Sequence, residues 1–187
     1  MKFIGKVMHV ILPVAQRGEQ ILTLQAAPVA QAELNSQWLK QLASAMLDTM
    51  LERNGVGIAA PQVYVSKRVI IVASRPNPRY PEAPEMAAIV MINPEIIEHS
   101  TETCLGEEGC LSVADLRRQV ERAQAVTVRY LTLEGEAVQR SFEGFPARIV
   151  QHEVDHLNGI LFVERTTTLQ DQSIPIAPSK LALSHQR

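Results

Sequence analysis

The sequence predicts an α+β fold in which mostly antiparallel β-sheets pack around a central helix that carries a His-Glu-x-x-His motif. Three observations lead there. Strand-like runs precede and follow helical ones without regular βαβ alternation, residues 125–142 read as a β-hairpin, and residues 145–158 read as one bounded, half-buried helix. A doubly wound parallel sheet is the second-ranked arrangement.

The chain opens with Met1-Lys2-Phe3-Ile4-Gly5-Lys6-Val7-Met8-His9-Val10-Ile11-Leu12. This apolar stretch is short, holds His9 and lacks a small-x-small cleavage site, so it reads as a first strand and not as a signal peptide. Across residues 34–50, Leu34, Trp38, Leu39, Leu42, Ala45, Met46 and Met50 recur at three- and four-residue spacing, the stripe of an amphipathic helix, and Asn54-Gly55 ends it. Residues 68–74 form a β-branched run fit for a buried strand. Residues 89–97 suggest another, interrupted at Asn93-Pro94. Between them, residues 75–85 hold four prolines and must be a loop. Val126, Val128 and Tyr130 then alternate with Thr127, Arg129 and Leu131, and Glu134-Gly135-Glu136 turns the chain into a partner strand over residues 137–142. Gly144-Phe145-Pro146 is a helix start with Pro at the first helical position, and Asn158-Gly159 is a left-handed stop. No internal repeat is visible. The end of the chain, rich in Gln, Ser and Pro, reads as weakly ordered. At 187 residues and 46% apolar, the chain suits one catalytic domain over residues 1–165 with a short tail over residues 166–187.

Composition narrows the function. A formal net charge of -2 provides no basic field for nucleic acid, so no direct nucleic-acid binding is expected. No apolar run approaches the roughly 18 residues of a membrane span, so no membrane association is expected. The two cysteines, Cys104 and Cys110, would close too small a loop to stabilise much as a disulfide. Free or metal-bound thiols in a reducing compartment, by default the cytoplasm, are the expectation.

The chemistry concentrates in Gln151-His152-Glu153-Val154-Asp155-His156-Leu157. Histidines four apart lie one turn above each other on one helix face, so both imidazoles reach one ion. Glu153 is offset by about 100° from His152 and about 60° from His156, which lets its carboxylate flank that ion and take a proton from water. A bare match of this kind also arises by chance on a solvated helix face, but the boundary signals and the flanking Ile149, Val150, Leu157 and Ile160 argue for a half-buried helix, where two histidines and two acids without a role would be costly. A catalytic metal needs a third protein ligand and an open position. Downstream, only Glu164 and His185 could serve, and Phe162 stands where a third His of an extended zinc motif would fall. Upstream, Gly106-Glu107-Glu108-Gly109-Cys110-Leu111-Ser112 presents a cysteine among small residues; a lone cysteine is more often a buried hydrophobe, but beside a metal helix it becomes a ligand candidate. A third segment, Gly55-Val56-Gly57-Ile58-Ala59-Ala60-Pro61-Gln62, has small residues that let a substrate backbone lie close, and Gln62 offers an amide donor. It lacks the Lys of a P-loop and the third glycine of a dinucleotide loop.

Together these segments resemble the peptide deformylase family, which removes the formyl group from the initiator methionine of new proteins. Gly-x-Gly-x-Ala-Ala-x-Gln, Glu-Gly-Cys-Leu-Ser and Gln-His-Glu-x-Asp-His-x-x-Gly all occur, in the family's order. Weaker similarity runs from about residue 11 to residue 162, including Ile92-Asn93-Pro94. The resemblance implies a peptide deformylase-like fold and a metal held by Cys110, His152 and His156. It implies that Glu153 is the general acid/base, and that the Gln62 side chain and the Leu111 backbone N–H stabilise the oxyanion. It further implies that a formyl-methionyl peptide docks by strand addition near Val56, Gly57 and Gly109. One divalent ion is implied, Fe2+ in vivo with Zn2+, Ni2+ or Co2+ able to replace it, and transient contact with the ribosome follows from the substrate. Two features depart from the family: Val113-Ala114-Asp115-Leu116-Arg117 lacks the usual Pro-Gly turn at the groove rim, and the tail lacks the basic amphipathic helix of some members. A zinc endopeptidase, in which Cys110 would be dispensable, and a non-catalytic metal- or peptide-binding relative are the competing readings. Asp155, on the opposite flank of the helix from Glu153, is expected to support or pack and not to ligate; Cys104 is expected as a buried or half-exposed thiol.

Overall fold

The computed structural model describes residues 9–165. Seven strands, β1 (Gly57–Ala59), β2 (Val69–Ser74), β3 (Met86–His99), β4 (Thr103–Cys110), β5 (Val113–Ala123), β6 (Ala125–Leu131) and β7 (Ala137–Glu143), accompany two α-helices, α1 (Gln37–Glu52) and α2 (Gly144–Leu157). Five strands form one sheet in the order β1-β2-β3-β6-β7, and β4 pairs with β5 in a second. Every ladder is antiparallel. The expected α+β architecture is therefore present, and the parallel alternative is not. The proposed tail and residues 1–8 lie outside the described residues; residues 9–12, the end of the expected first strand, form no strand.

The continuous apolar run of β2 has a simple cause, since both faces of the sheet are covered. Ile70 and Val72 point to α2 and pack with Val150, Val154 and Leu157, whereas Val69, Ile71 and Ala73 point to α1 and pack with Leu39, Met46 and Met50. A third cluster joins the β4–β5 hairpin to the segments flanking the sheet through Leu22, Val120, Leu161 and Phe162, with Cys110 inside it. The functional helix is thus clamped between sheet and hairpin.

Several boundaries moved for local reasons. Helix α1 starts three residues later than the apolar stripe, because Asn35 is left-handed (φ 58°) and Ser36 caps the helix by accepting from the Leu39 N–H at 3.2 Å. Asn54 (φ 53°) ends it, and the Gly55 N–H returns to the Met50 carbonyl at 2.8 Å. In α2, Pro146 falls in the third helical position, not the first, and Gly159 (φ 73°) is the left-handed stop. A Cβ on Gly159 would lie 2.6 Å from the Thr23 backbone, so glycine is required there twice over. The β4–β5 hairpin and the short β1 were not anticipated; their glycines, charges and brevity hide the alternation that marks a strand.

At Asn93-Pro94 the expected interruption is a bend inside one long strand. Asn93 adopts φ 50°, the register to β6 shifts between Ile92 and Glu95, and the side chain accepts from the Val29 N–H (2.8 Å) while donating to the Val29 carbonyl (2.9 Å). Asn93→Ala removes both bonds and places alanine in the left-handed region; chemical denaturation should show a loss of about 2–3 kcal/mol. An unchanged midpoint would mean that the bend is held by the sheet alone.

Candidate active site

The site is assembled from three elements that the chain brings together over long sequence distances. Helix α2 presents His152 and His156 from consecutive turns, their rings 5.0 Å apart and edge to face. The end of β4 brings Cys110, whose Sγ lies 3.2 Å from His156 Nε2. One donor atom from each of these three residues lies within 4.8 Å of the other two, and all three residues are buried. The 3₁₀ turn after β1 delivers Gln62, which is 1% exposed and accepts from the Ala59 N–H at 2.8 Å. Its Nε2 faces Ser112 Oγ at 3.0 Å and Cys110 Sγ at 3.4 Å. Val56, Gly57, Gly109 and Leu111 line the same cavity as Cys110, His152 and Glu153. The structure therefore gathers Cys110, His152, His156, Glu153, Gln62, Val56, Gly57, Gly109 and Leu111; of the two downstream ligand candidates, Glu164 is not in the cluster and accepts from the Leu161 N–H, and His185 lies outside the described residues.

Glu153 is 4% exposed, and its Oε2 has no hydrogen-bond partner among the described residues. Burial pushes its pKa up to about 7, outweighing the positive pull of His152 and His156, with the negative Cys110 and Glu108 adding to the rise. A carboxylate poised there can take and return a proton near neutral pH. Its space is made by Gly57, where a Cβ would sit 2.2 Å from Glu153 Oε1. Gly57→Ala should displace the carboxylate and cut turnover by about 10²-fold, the cost of misplacing a reacting group by about 1 Å, with the fold intact by circular dichroism. Wild-type turnover in that variant would show that Glu153 does not need its present position.

A buried charge network behind His152 was missed by sequence reasoning. Glu108 lies 2.9 Å from His152 Nδ1 and accepts from Arg122 Nε (2.9 Å), Arg122 Nη2 (3.0 Å) and Arg148 Nη1 (2.9 Å). Burial would raise its pKa, but the bonds from His152 and Arg122 prevail and bring it to about 2. This carboxylate fixes the His152 ring so that its Nε2 is the free nitrogen, the usual way a protein orients an imidazole for a metal. Asp155, expected to support or pack, joins this network: it accepts from Arg122 Nη1 (2.6 Å) and from Arg165 Nε (3.0 Å) and Nη2 (2.5 Å). Cys104 is half-buried, and Arg148 donates to both its carbonyl (2.7 Å) and its Sγ (3.4 Å). Arg148 lies so close to β4 that a Cβ on Gly106 would meet its guanidinium at 2.7 Å. One signal could have revealed Glu108: in a strand, residues two apart share a face, so Glu108 must accompany Cys110.

The donor set fits a divalent ion of borderline softness. Burial would raise the Cys110 pKa, but the neighbouring His156 and His152 outweigh it and hold the thiol well below its usual range, which favours the thiolate, the form that binds metal. His156 Nδ1 lacks a partner among the described residues, so this ring is held from its Nε2 side by Cys110 and by packing against His152, with no carboxylate behind it. One cysteine sulfur, two imidazoles and an adjacent carboxylate with an unpartnered oxygen make the donor set of a metal-dependent hydrolase.

A profile of the polypeptide deformylase family matches residues 11–172. The chain belongs to this family, metal-dependent hydrolases that take the formyl group from N-formyl-methionine peptides. It is 48% identical over 155 residues to peptide deformylase 2 of Nostoc sp., spanning 83% of this chain and 86% of that protein. Identity to peptide deformylase 2 of Shewanella oneidensis is likewise 48%, spanning 83% and 84% of the two chains. Among solved structures, the Met-Ala-Ser-bound class I type b peptide deformylase of Acinetobacter baumannii matches with a TM-score of 0.84 and 77% identity, covering 85% of this chain and all of that one. The peptide deformylase of Thermotoga maritima matches at 0.75 and 35% identity over 85% and 99%. Membership removes the endopeptidase reading, and among the described residues no helix is long and apolar enough to cross a membrane.

Proposed function

We propose that Cys110, His152 and His156 hold one divalent ion, Fe2+ in the cell with Zn2+, Ni2+ or Co2+ able to replace it, and that Glu153 performs the proton transfers of deformylation. The single observation that carries this reading is the buried, partnerless Glu153 carboxylate beside three converging donor atoms. When bound, such an ion supplies Lewis acidity and lowers the pKa of water. Glu153 takes the proton from the attacking water as its oxygen bonds to the formyl carbon, and returns it to the methionine nitrogen as the C–N bond breaks, releasing formate and a free amine. The Gln62 side chain is fixed by its Oε1, which accepts from the Ala59 N–H, so that its Nε2 turns toward Cys110 and, together with the Leu111 backbone N–H, donates to the oxyanion of the tetrahedral intermediate.

The substrate, a formyl-methionyl peptide, lies extended against β1. That strand is the edge of its sheet, paired on one side only with β2, so the backbone of Val56 and Gly57 can receive an added strand, with Gly109 on the opposite wall. Because the substrate is a nascent chain, the enzyme works in the cytoplasm and meets the ribosome transiently, without direct nucleic-acid binding. The catalytic unit proposed is residues 1–165.

The test is anaerobic purification followed by formate release from formyl-Met-Ala-Ser and metal analysis. Cys110→Ala should lose both metal and activity, whereas Gln62→Leu should keep the metal and lose about 10²–10³ in kcat, the usual cost of one oxyanion donor. A folded, metal-loaded wild-type protein that releases no formate would sink the proposal.

A further inference from the structure

We propose that Arg79 reads the charge of the substrate, favouring formyl peptides with an acidic side chain at the second or third residue; this rests on the deformylase reading above. The catalytic cavity continues past Cys110 and Leu111 into a cleft of about 460 Å³. Its wall carries three arginines, Arg53, Arg79 and Arg117, and one acid, Asp115.

The arginines are not equivalent. Arg117 is spent: its Nη1 lies 3.0 Å from Glu107 Oε1, and its guanidinium stacks 4.6 Å from the centre of the Tyr80 ring. It also donates from Nη1 and Nη2 to the Arg79 carbonyl at 3.0 and 3.1 Å. Asn77 Oδ1 accepts from the Arg79 N–H at 2.8 Å and from the Tyr80 N–H at 3.1 Å. The backbone at Arg79 is thus held from both sides, within a proline-rich loop that cannot easily rearrange. Its own guanidinium makes no hydrogen bond or ion pair among the described residues. It projects over Gly109, where a Cβ would lie 3.2 Å from Arg79 Nη2. A half-buried cation with its backbone fixed and its donors unused is organised in advance for a carboxylate.

Register then selects the substrate position. Successive side chains of an extended peptide point to opposite faces, so when the methionine side chain enters the catalytic cavity, one of the next two passes Arg79. An acidic side chain there meets Arg79 with Arg53 on the far wall, whereas a lysine faces two cations.

The experiment compares kcat/KM for formyl-Met-Glu-Ala-amide and formyl-Met-Ala-Glu-amide with their Gln and Lys counterparts, the amide removing the terminal carboxylate. At low ionic strength the Glu peptide of one series should exceed its Gln counterpart about five- to tenfold, chiefly through KM, with the advantage shrinking in 0.5 M salt. Arg79→Gln should bring the Glu/Gln ratio to about one, and Arg79→Lys should retain part of it. Because the readout is a ratio within one protein, a general loss of activity does not mimic the result. Equal rates for Glu and Gln in both series, or a preference that persists in Arg79→Gln, would overturn the inference while cleavage of the Gln peptides upholds the activity. No formate from any peptide would overturn both.

Discussion

Glu153→Gln should lower formate release about 10³-fold while leaving the bound metal in place, the middle of the range for loss of a positioned general acid/base. The substitution keeps the shape of the side chain but removes its ability to take a proton from water and deliver it to the leaving nitrogen. The same substitution relieves the buried, partnerless Oε2, which burial already drives toward its neutral form with a pKa of about 7. The variant should therefore fold at least as stably as the parent, because an amide costs less to bury than a carboxylate. Lost turnover with unchanged or improved stability separates a catalytic role from a structural one. Metal content by elemental analysis, formate release and a denaturation curve on one preparation test it. Turnover within tenfold of wild type would assign the proton transfers elsewhere.

Glu108→Ala should have the largest effect on stability, a loss of about 3–5 kcal/mol, as expected when one partner of a buried ion pair is removed and the other charge stays behind. Glu108, Arg122 and Arg148 are all nearly inaccessible to solvent, and each arginine donates to the Glu108 carboxylate. Arg122 would retain Asp155, and Arg148 would retain the carbonyls of Cys104, Gly106 and Val120, which places the loss nearer the lower figure. The same variant releases the His152 ring from its 2.9 Å bond, so metal affinity should fall about 10- to 100-fold, the usual cost of losing a carboxylate behind a ligating histidine. Glu108→Gln keeps part of the hydrogen bonding and should fall between. Urea denaturation with chelator titration measures both. If stability falls and metal affinity does not, Glu108 serves the core and not the site.

The site was legible in the sequence to the extent that its geometry is local. His152, Glu153 and His156 depend only on the helical repeat, and the Gly144 and Asn158-Gly159 boundaries declare that helix without reference to the rest of the chain. The hairpin of β6 and β7 was equally open, because alternation and a Glu-Gly-Glu turn act over a few residues. Strands β4 and β5 were not, since Gly106, Glu107, Glu108 and Gly109 in one and Arg117 and Arg118 in the other replace the apolar alternation by charges whose burial makes sense only against α2. The Val113–Arg117 departure proved to be the start of β5, with Asp115 taking φ 57°, and it lends the rim the arginine that pins Arg79.

The sequence by itself therefore determined the helix, its two imidazoles and its acid, and the three motifs by which the family is known. Only the tertiary structure decided that the Cys110 sulfur converges with the two imidazoles, that Glu108 holds His152 between two buried arginines, and that Arg79 is left with its donors free. The reason is physical. Helical and hairpin patterns are set by interactions between residues a few positions apart, whereas Cys110 meets His156 across 46 residues and Glu108 meets Arg148 across 40. A charge also reads as surface in a sequence until its partners, brought by other elements, make it a buried one.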